Sequence, residues 1–336
     1  MPKIGIIGCG FWAGYQVAAW KELPIEIVAV CDPNLEKAQT LADKFGIEKV
    51  YSDARIMFLN EALDFVDIIT SPETHADMVF LAAKYGVPMI CQKPMATDWE
   101  TAVTMVEVCK QKQLPFFIHE NFRWQSSMLR VKELLDADTI GKPFKARVFF
   151  NSTFPVLQFQ PNLAQLSEMI IADLGVHLFD LVRFFFGEAH LLFCRTQKIG
   201  EGFVGENVAN TFIETKSGVH CYVELSWASH VEYDCFPQTL LYIEGEKGSI
   251  KLEKDFKLSI MKPDGIQQET VPVPDYEWLH PDYKASQAAL VACNHDILEA
   301  MQGKKLSGNA AELNLKTLRL VYAAYESARD GKVVYF

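Results

Sequence analysis

The feature that most constrains this chain lies at its start. The stretch "GIIGCGFWAG" (5–14) follows a short apolar run and sets Gly8, Gly10 and Ala13 at G-x-G-x-x-A spacing. The first glycine permits a tight turn, and the second lets a pyrophosphate approach the backbone. The small third residue lets the following helix pack closely on the strand. The motif alone is weak, but its context is the required one. A strand pattern precedes it, a helix pattern follows, and a second strand ends in "AVCDPN" (29–34). Asp32 falls 22 residues beyond Gly10, where a carboxylate accepts hydrogen bonds from an adenosine ribose and repels a 2′-phosphate. No arginine follows it, so NAD is favoured over NADP. The alternative is a glycine turn without a ligand and a solvated Asp32. Phe11 and Trp12, at the loop tip, are placed to cover the pyrophosphate or to touch a second domain.

Up to about residue 120 short apolar runs alternate with helical patterns. Strands are expected at Lys3–Ile7, Glu26–Cys31, Phe65–Ile69, Met89–Cys91 and Pro115–Ile118, with helices over Leu35–Phe45, Thr74–Tyr85 and Trp99–Gln111 between them. Continuous apolarity implies strands buried on both faces, hence a doubly wound parallel sheet, an α/β domain over 1–120. Beyond residue 143 the rhythm changes. Turn signals at Lys216-Ser217-Gly218, Glu246-Lys247-Gly248 and Pro263-Asp264-Gly265 join antiparallel strands. With helices near 165–186, 286–302 and 310–329, residues 121–336 read as an α+β domain.

Composition removes several classes of function. Lys plus Arg number 32 against 43 Asp plus Glu, a net charge of -11, which argues against nucleic acid or an anionic membrane as partner. The eight cysteines are scattered without C-x-x-C, as suits reduced core thiols rather than disulfides or a zinc site. The chain enters its first strand with no signal-peptide pattern, and no apolar run reaches the ~18 residues of a bilayer span. A cytoplasmic location is expected.

Two further stretches carry chemistry. In "ICQKPMA" (90–96) a buried-looking strand ends at Lys93, whose backbone Pro94 biases toward an extended shape. Hydride transfer from a carbinol needs a base for the hydroxyl proton and profits from a cation beside the developing alkoxide. In open parallel sheets such groups gather at the carboxyl ends of strands. An ordinary surface lysine is the competing reading. The helical stretch "EMIIADLGVHLFDLVRFFFG" (168–187) is apolar on almost every face except at Asp173, His177 and Asp180. A polar stripe on a buried helix must find partners or line a cleft. His177 suits proton exchange near neutrality and Asp173 could orient it or bind substrate. A structural Asp–His pair, or a metal site lacking any further ligand motif, are the alternatives.

These residues together resemble the Gfo/Idh/MocA family of NAD(P)-dependent sugar and polyol dehydrogenases, over essentially the whole chain. The Gly8–Ala13 turn and Asp32 come first. "TSPETH" (70–75), with Ser71, Pro72 and His75, is similar to the family's Pro-x-x-His loop. "CQKP" is similar to its Glu-Lys-Pro motif, and Asp173-x-x-x-His177 to its Asp-x-x-x-His. The resemblance implies a Rossmann domain followed by an open, mostly antiparallel sheet that forms a homodimer or homotetramer. It implies Lys93 near nicotinamide and substrate hydroxyl, His177 as acid/base, Asp173 as substrate-binding or orienting partner, and in many members a cis Lys–Pro bond. Gln92 departs from the pattern, since an amide there supplies no charge beside Lys93. Cofactor contacts are expected from Gly8, Gly10, Phe11, Trp12, Ala13, Asp32, Ser71, His75, Gln92 and Lys93. Lys93, Asn121, Arg123, Trp124, Gln160, Asp173 and His177 are expected at the substrate. Arg123 and Trp124 could instead staple the domains, and His75 could cap or pack its helix start.

The implied activity is NAD-dependent oxidation of a small sugar or polyol hydroxyl, an aldose such as D-apiose to its lactone, with no resident metal. The competing functions are a non-catalytic NAD-binding sensor of the same fold, and a sugar-converting enzyme that keeps its NAD bound and oxidises transiently.

Overall fold

A computed structural model describes residues 1–231, 236 and 238–336. The chain forms two compact units. The first holds Met1–Glu120, Tyr276–Leu279 and Leu290–Leu318, and the second Asn121–Asp275, His280–Ala289 and Arg319–Phe336.

Six parallel strands build the first unit: β1 (Lys3–Ile7), β2 (Glu26–Cys31), β3 (Lys49–Tyr51), β4 (Phe65–Ile68), β5 (Met89–Gln92) and β6 (Phe116–His119). Their order is β3-β2-β1-β4-β5-β6. The order reverses between β1 and β4, the kind of switch point where strand carboxyl ends open a crevice. Between the strands run α1 (Ala13–Lys21), α2 (Leu35–Phe45), α3 (Ala54–Asn60), α4 (Pro72–Tyr85) and α5 (Trp99–Gln111). Local chemistry sets their ends. Asn34 accepts from the N–H groups of Glu36 and Lys37 at the start of α2, and Asp98 from that of Thr101 in α5. Gly46 and Gly86 close α2 and α4 in the left-handed conformation.

Buried strands β4 and β6 carry polar residues, and each finds a partner. Asp67, fully buried on β4, accepts hydrogen bonds at Oδ2 from Gln16 Nε2 and Trp20 Nε1, both at 2.8 Å, which fastens α1 to the sheet. Burial pushes its carboxyl above the usual carboxylate range. His119 on β6 meets Asn294 Oδ1 at 2.8 Å, and burial pulls its imidazole below the ordinary histidine value.

The second unit is built on a nine-stranded sheet: β7 (Pro143–Asn151), β8 (Ala189–Gln197), β9 (Val208–Thr215), β10 (His220–Ser226), β11 (Leu240–Gly245), β12 (Gly248–Leu252), β13 (Lys257–Lys262), β14 (Gly265–Thr270) and β15 (Val334–Tyr335). The order is β14-β13-β12-β11-β7-β10-β9-β8-β15, antiparallel throughout except for β7 beside β10. The three glycine turns read from the sequence join β9 to β10, β11 to β12 and β13 to β14. One face, with Ala146, Val148, Val223 and Leu225, is buried. The other carries Lys145, Arg147 and Tyr222, the alternation of a half-covered antiparallel sheet. Helices α6 (Ser126–Asp136), α7 (Val156–Phe159) and α8 (Val176–Phe186) lie in this unit. α9 (Lys284–Met301) and α10 (Ala311–Asp330) contribute residues to both.

The structure departs from the sequence reading at three points. β3 and α3 were not anticipated, because "KVY" is too short and too exposed to show as an apolar run. The helix expected over 165–186 starts later, since Pro161–Gln165 forms a separate 3-10 turn. Ile171–Gly175 is a π-helical turn leading into α8, so Asp173 and His177 do not keep regular α-helical spacing. Gln160, read as loop, sits between α7 and the 3-10 turn. Among the described residues the cysteines are buried and free, and no helix is long and apolar enough to cross a membrane.

Gly8 is the tightest point of the first unit. Its φ is +98°, and an added Cβ would lie 2.7 Å from the carbonyl carbon and oxygen of Ile69. Gly8→Ala should therefore cost at least about 1–3 kcal/mol. Urea unfolding in the absence of ligand checks this, as a lowered midpoint at unchanged slope.

Candidate functional site

In the first unit, the carboxyl ends of β1 and β2 meet the amino end of α1. Asp32 is held there by two backbone donors. Its Oδ2 accepts from Cys9 N at 2.9 Å and its Oδ1 from Asn34 N at 2.8 Å. Beside it is a cleft of about 460 Å³ lined by Cys9, Gly10, Phe11, Asn34, Lys37 and Lys44, among others. A Cβ added to Gly10 would meet nothing within 4 Å, so the backbone at this turn faces open space. Ala13 is fully buried at the first position of α1. Trp12 is the residue before α1, and Phe11, 63% exposed, packs edge-on against Tyr15 at 5.4 Å. The burial of the Cys9 thiol, with Asp32 nearby, pushes it up to about 12, so it is not a nucleophile. No arginine directly follows Asp32 in the sequence, but the cleft holds two cations, Lys37 and Lys44. Both lie on α2, and only the folded helix brings them to the cleft.

Two loops of the same unit hold the next group of residues. Ser71 is exposed and precedes α4 without capping it through its side chain. His75 is fully buried, with Nδ1 2.9 Å from Pro94 O and Nε2 3.1 Å from Thr70 O. Burial lowers its pKa, and a neutral imidazole has one N–H, so it donates to one of these carbonyls at a time. The ring thereby links the loop after β4 to the turn after β5. That turn carries Gln92, Lys93 and Pro94, and the Lys93–Pro94 peptide is cis. Gln92 Nε2 is buried and has no hydrogen-bond partner among the described residues. The open space over Gly10, the anchored Asp32 carboxylate and this buried donor fit a dinucleotide.

In the second unit the turn that carries Arg123 and Trp124 packs against the helix of His177, and Asn121 precedes it. Asn121 Nδ2 donates to Ser286 O at 2.9 Å. Residues Phe122–Trp124 form a 3-10 turn. The Phe122 ring lies flat on the His177 imidazole, centroids 3.9 Å apart and planes within 5°. Arg123 grips Asp180 with two parallel bonds, Nε to Oδ2 at 2.7 Å and Nη2 to Oδ1 at 2.5 Å, both side chains almost wholly buried. The Asp180 of the polar stripe is thus a partner of Arg123. Their pairing fixes the turn from which Phe122 presses on His177. Phe122 is not legible in the sequence, since its contact spans 55 positions and has no motif of its own.

The chain belongs to the Gfo/Idh/MocA family of oxidoreductases. Residues 2–120 match the family's oxidoreductase model with an NAD-binding Rossmann fold, and residues 128–251 its C-terminal domain. It is an NAD-dependent dehydrogenase. The chain is similar over nearly its full length to two proteins named D-apiose dehydrogenase. One, from Paraburkholderia graminis, is 39% identical over 99% of this chain and 89% of that one. The other, from Rhizobium rhizogenes, is 37% identical over 99% and 96%. An oxidoreductase of Agrobacterium radiobacter, solved in complex with NAD+, L-tartaric acid and magnesium, superposes with a TM-score of 0.97. It is 36% identical and covers 99% of this chain and 98% of its own. A levoglucosan dehydrogenase in complex with NADH shares the fold at TM-score 0.84 and 20% identity, covering 99% and 98%.

Breaking the Arg123–Asp180 pair from one side strands a buried charge. Asp180→Ala should lower stability by about 3–5 kcal/mol, and Arg123→Met combined with Asp180→Leu should recover much of it. Denaturant unfolding of the three variants checks the asymmetry.

Proposed function

We propose that this sugar dehydrogenase oxidises D-apiose, a branched aldopentose, at its anomeric carbon to the lactone. The observation that carries the reading is the similarity to two D-apiose dehydrogenases at 39% and 37% identity over 99% of the chain. NAD, when bound, accepts the hydride from the anomeric carbon. Gly8, Gly10 and Ala13 leave room for its pyrophosphate and Asp32 accepts from its ribose. Phe11, Trp12, Ser71 and Gln92 line its course, with His75 holding the loop. Lys93 steadies the substrate oxygen as negative charge develops, and His177 takes the hydroxyl proton. Asp173 orients the sugar or the imidazole. Asn121, Trp124 and Gln160 contribute polar groups and an aromatic face to the sugar, while Arg123 serves through Asp180.

Retention of Lys93, Asp173 and His177 weighs against a sensor without catalysis. Incubation with NAD and a panel of D-apiose, other pentoses and inositols should give free NADH, fastest with D-apiose. Silence across the panel would remove the reading, and oxidation without NADH release would favour permanently bound NAD. Lys93→Ala and His177→Ala should each lower kcat by at least about 100-fold while NAD still binds. Asp32→Ala should weaken NAD binding and narrow its advantage over NADP.

We further propose a homodimer or homotetramer joined through the outer face of the second sheet. Phe212 and Tyr222 pack together there, centroids 5.4 Å apart, next to the Arg147–Glu224 ion pair. Tyr222→Asp should shift the mass measured by light scattering toward the monomer. The buried free thiols suit a reducing compartment, which supports a cytoplasmic location.

A further inference from the structure

The π-helical turn Ile171–Gly175 carries Asp173 and leads into the helix of His177. Such a turn gives up regular α-helical bonding, and the first amides of any helix have no partner inside it. Here two side chains distant in sequence supply the partners. Glu206 Oε1 and Oε2 accept from Met169 N at 3.0 and 3.1 Å, and Oε1 also faces Ile171 N at 3.3 Å. Tyr325 of α10 accepts from Ala172 N at 3.0 Å and donates its own hydroxyl to Glu206 Oε1 at 2.9 Å. The Tyr325 phenol is pushed well above its ordinary value by burial and by Glu206 beside it, so it remains a donor.

Two glycines let the surroundings close in. A Cβ on Gly205 would lie 2.5 Å from Leu166 O and 2.6 Å from Ser167 O, so the residue beside Glu206 is pressed against the backbone that enters the turn. A Cβ on Gly175 would meet Ile171 Cγ2 at 3.1 Å and Leu225 Cδ1 at 3.2 Å, where the turn rests on β10. A carboxylate at a helix amino end also complements the helix dipole.

We infer that Glu206 and Tyr325 are positioning residues that hold the widened turn and so set where Asp173 and His177 reach. The inference rests on the proposed roles of those two residues. Neither Glu206 nor Tyr325 touches substrate or cofactor in this scheme; they act through the backbone of 169–172.

The test compares Tyr325→Phe, which keeps the ring and loses both bonds of the hydroxyl, with Ser327→Ala. Ser327 is on the same helix and bonds Cys194 N and Lys332 O, away from the turn. Amide exchange over 169–175 and steady-state kinetics are read together, well below the melting temperature. Tyr325→Phe should speed exchange of these amides and lower kcat, each by about ten-fold, with NAD affinity unchanged. Ser327→Ala should change neither by more than about two-fold. Glu206→Gln, which keeps an acceptor without the charge, should fall between. Unchanged kcat in Tyr325→Phe, or equal effects from Ser327→Ala, would overturn the inference. Should the wild type oxidise no sugar, the proposed function falls by itself, and unchanged exchange in Tyr325→Phe would overturn the clamp separately.

Discussion

A contact between two stretches of backbone organises the first unit. Where β1 ends, Gly8 runs so close to the carbonyl of Ile69 that no side chain fits between them. That approach brings β1 and β4 side by side in register, Ile4 to Phe65 through Ile7 to Ile68. The chain then turns sharply into α1, whose Gln16 and Trp20 reach back to the buried Asp67 on β4. One steric condition therefore sets the strand order at the switch point, the docking of the helix and the position of the amides at its start. The cleft beside Asp32 follows from these. The glycine is a requirement of the fold before it is a feature of a nucleotide site.

Much of the architecture was legible because its causes are local. Strands β1 and β2 and helices α2 and α5 have the limits that apolar runs and capping residues define. The turn at Gly8 and Gly10 and the place of Asp32 just after β2 are legible because strand, turn and helix lie in one continuous stretch. What escaped depends on distant partners. Nothing near residue 170 announces a π-helical turn, because the groups that hold it stand at 206 and 325. The resemblance implies Arg123 at the substrate, with a staple between domains as the alternative, and Asp180 shows in the sequence only as part of a polar stripe. The pair became visible once a turn and a helix were packed together. β3 was missed for the opposite reason: three half-exposed residues carry too little pattern.

The ionisable groups of this protein divide by what surrounds them. Asp67, His75 and His119 are buried where burial opposes charge, and each uses at least one polar atom to fix one element to another. Arg123 and Asp180 are buried as a doubly hydrogen-bonded pair. Gln92 belongs to neither group. It brings a buried neutral donor to the position immediately before Lys93. The backbone beside that lysine is fixed by His75, whose ring meets Pro94 O at 2.9 Å.

The second sheet has one parallel pair, β7 and β10, matched residue for residue from Lys145–His220 to Asn151–Ser226. Parallel neighbours cannot be joined by a hairpin, so the chain must leave the sheet and return. Residues 152–219 make that connection: α7, the π-helical turn and α8 lie off the sheet, and β8 and β9 rejoin it on the far side of β10 before the hairpin into β10. The flanking strands lock to each other regardless of what is carried between them. A lineage can therefore lengthen, shorten or reshape the segment around Gln160 without shifting the register of the frame. The register of the frame is thus set by strand pairing, while the stretch that holds α7, the π-helical turn and α8 is carried between its strands.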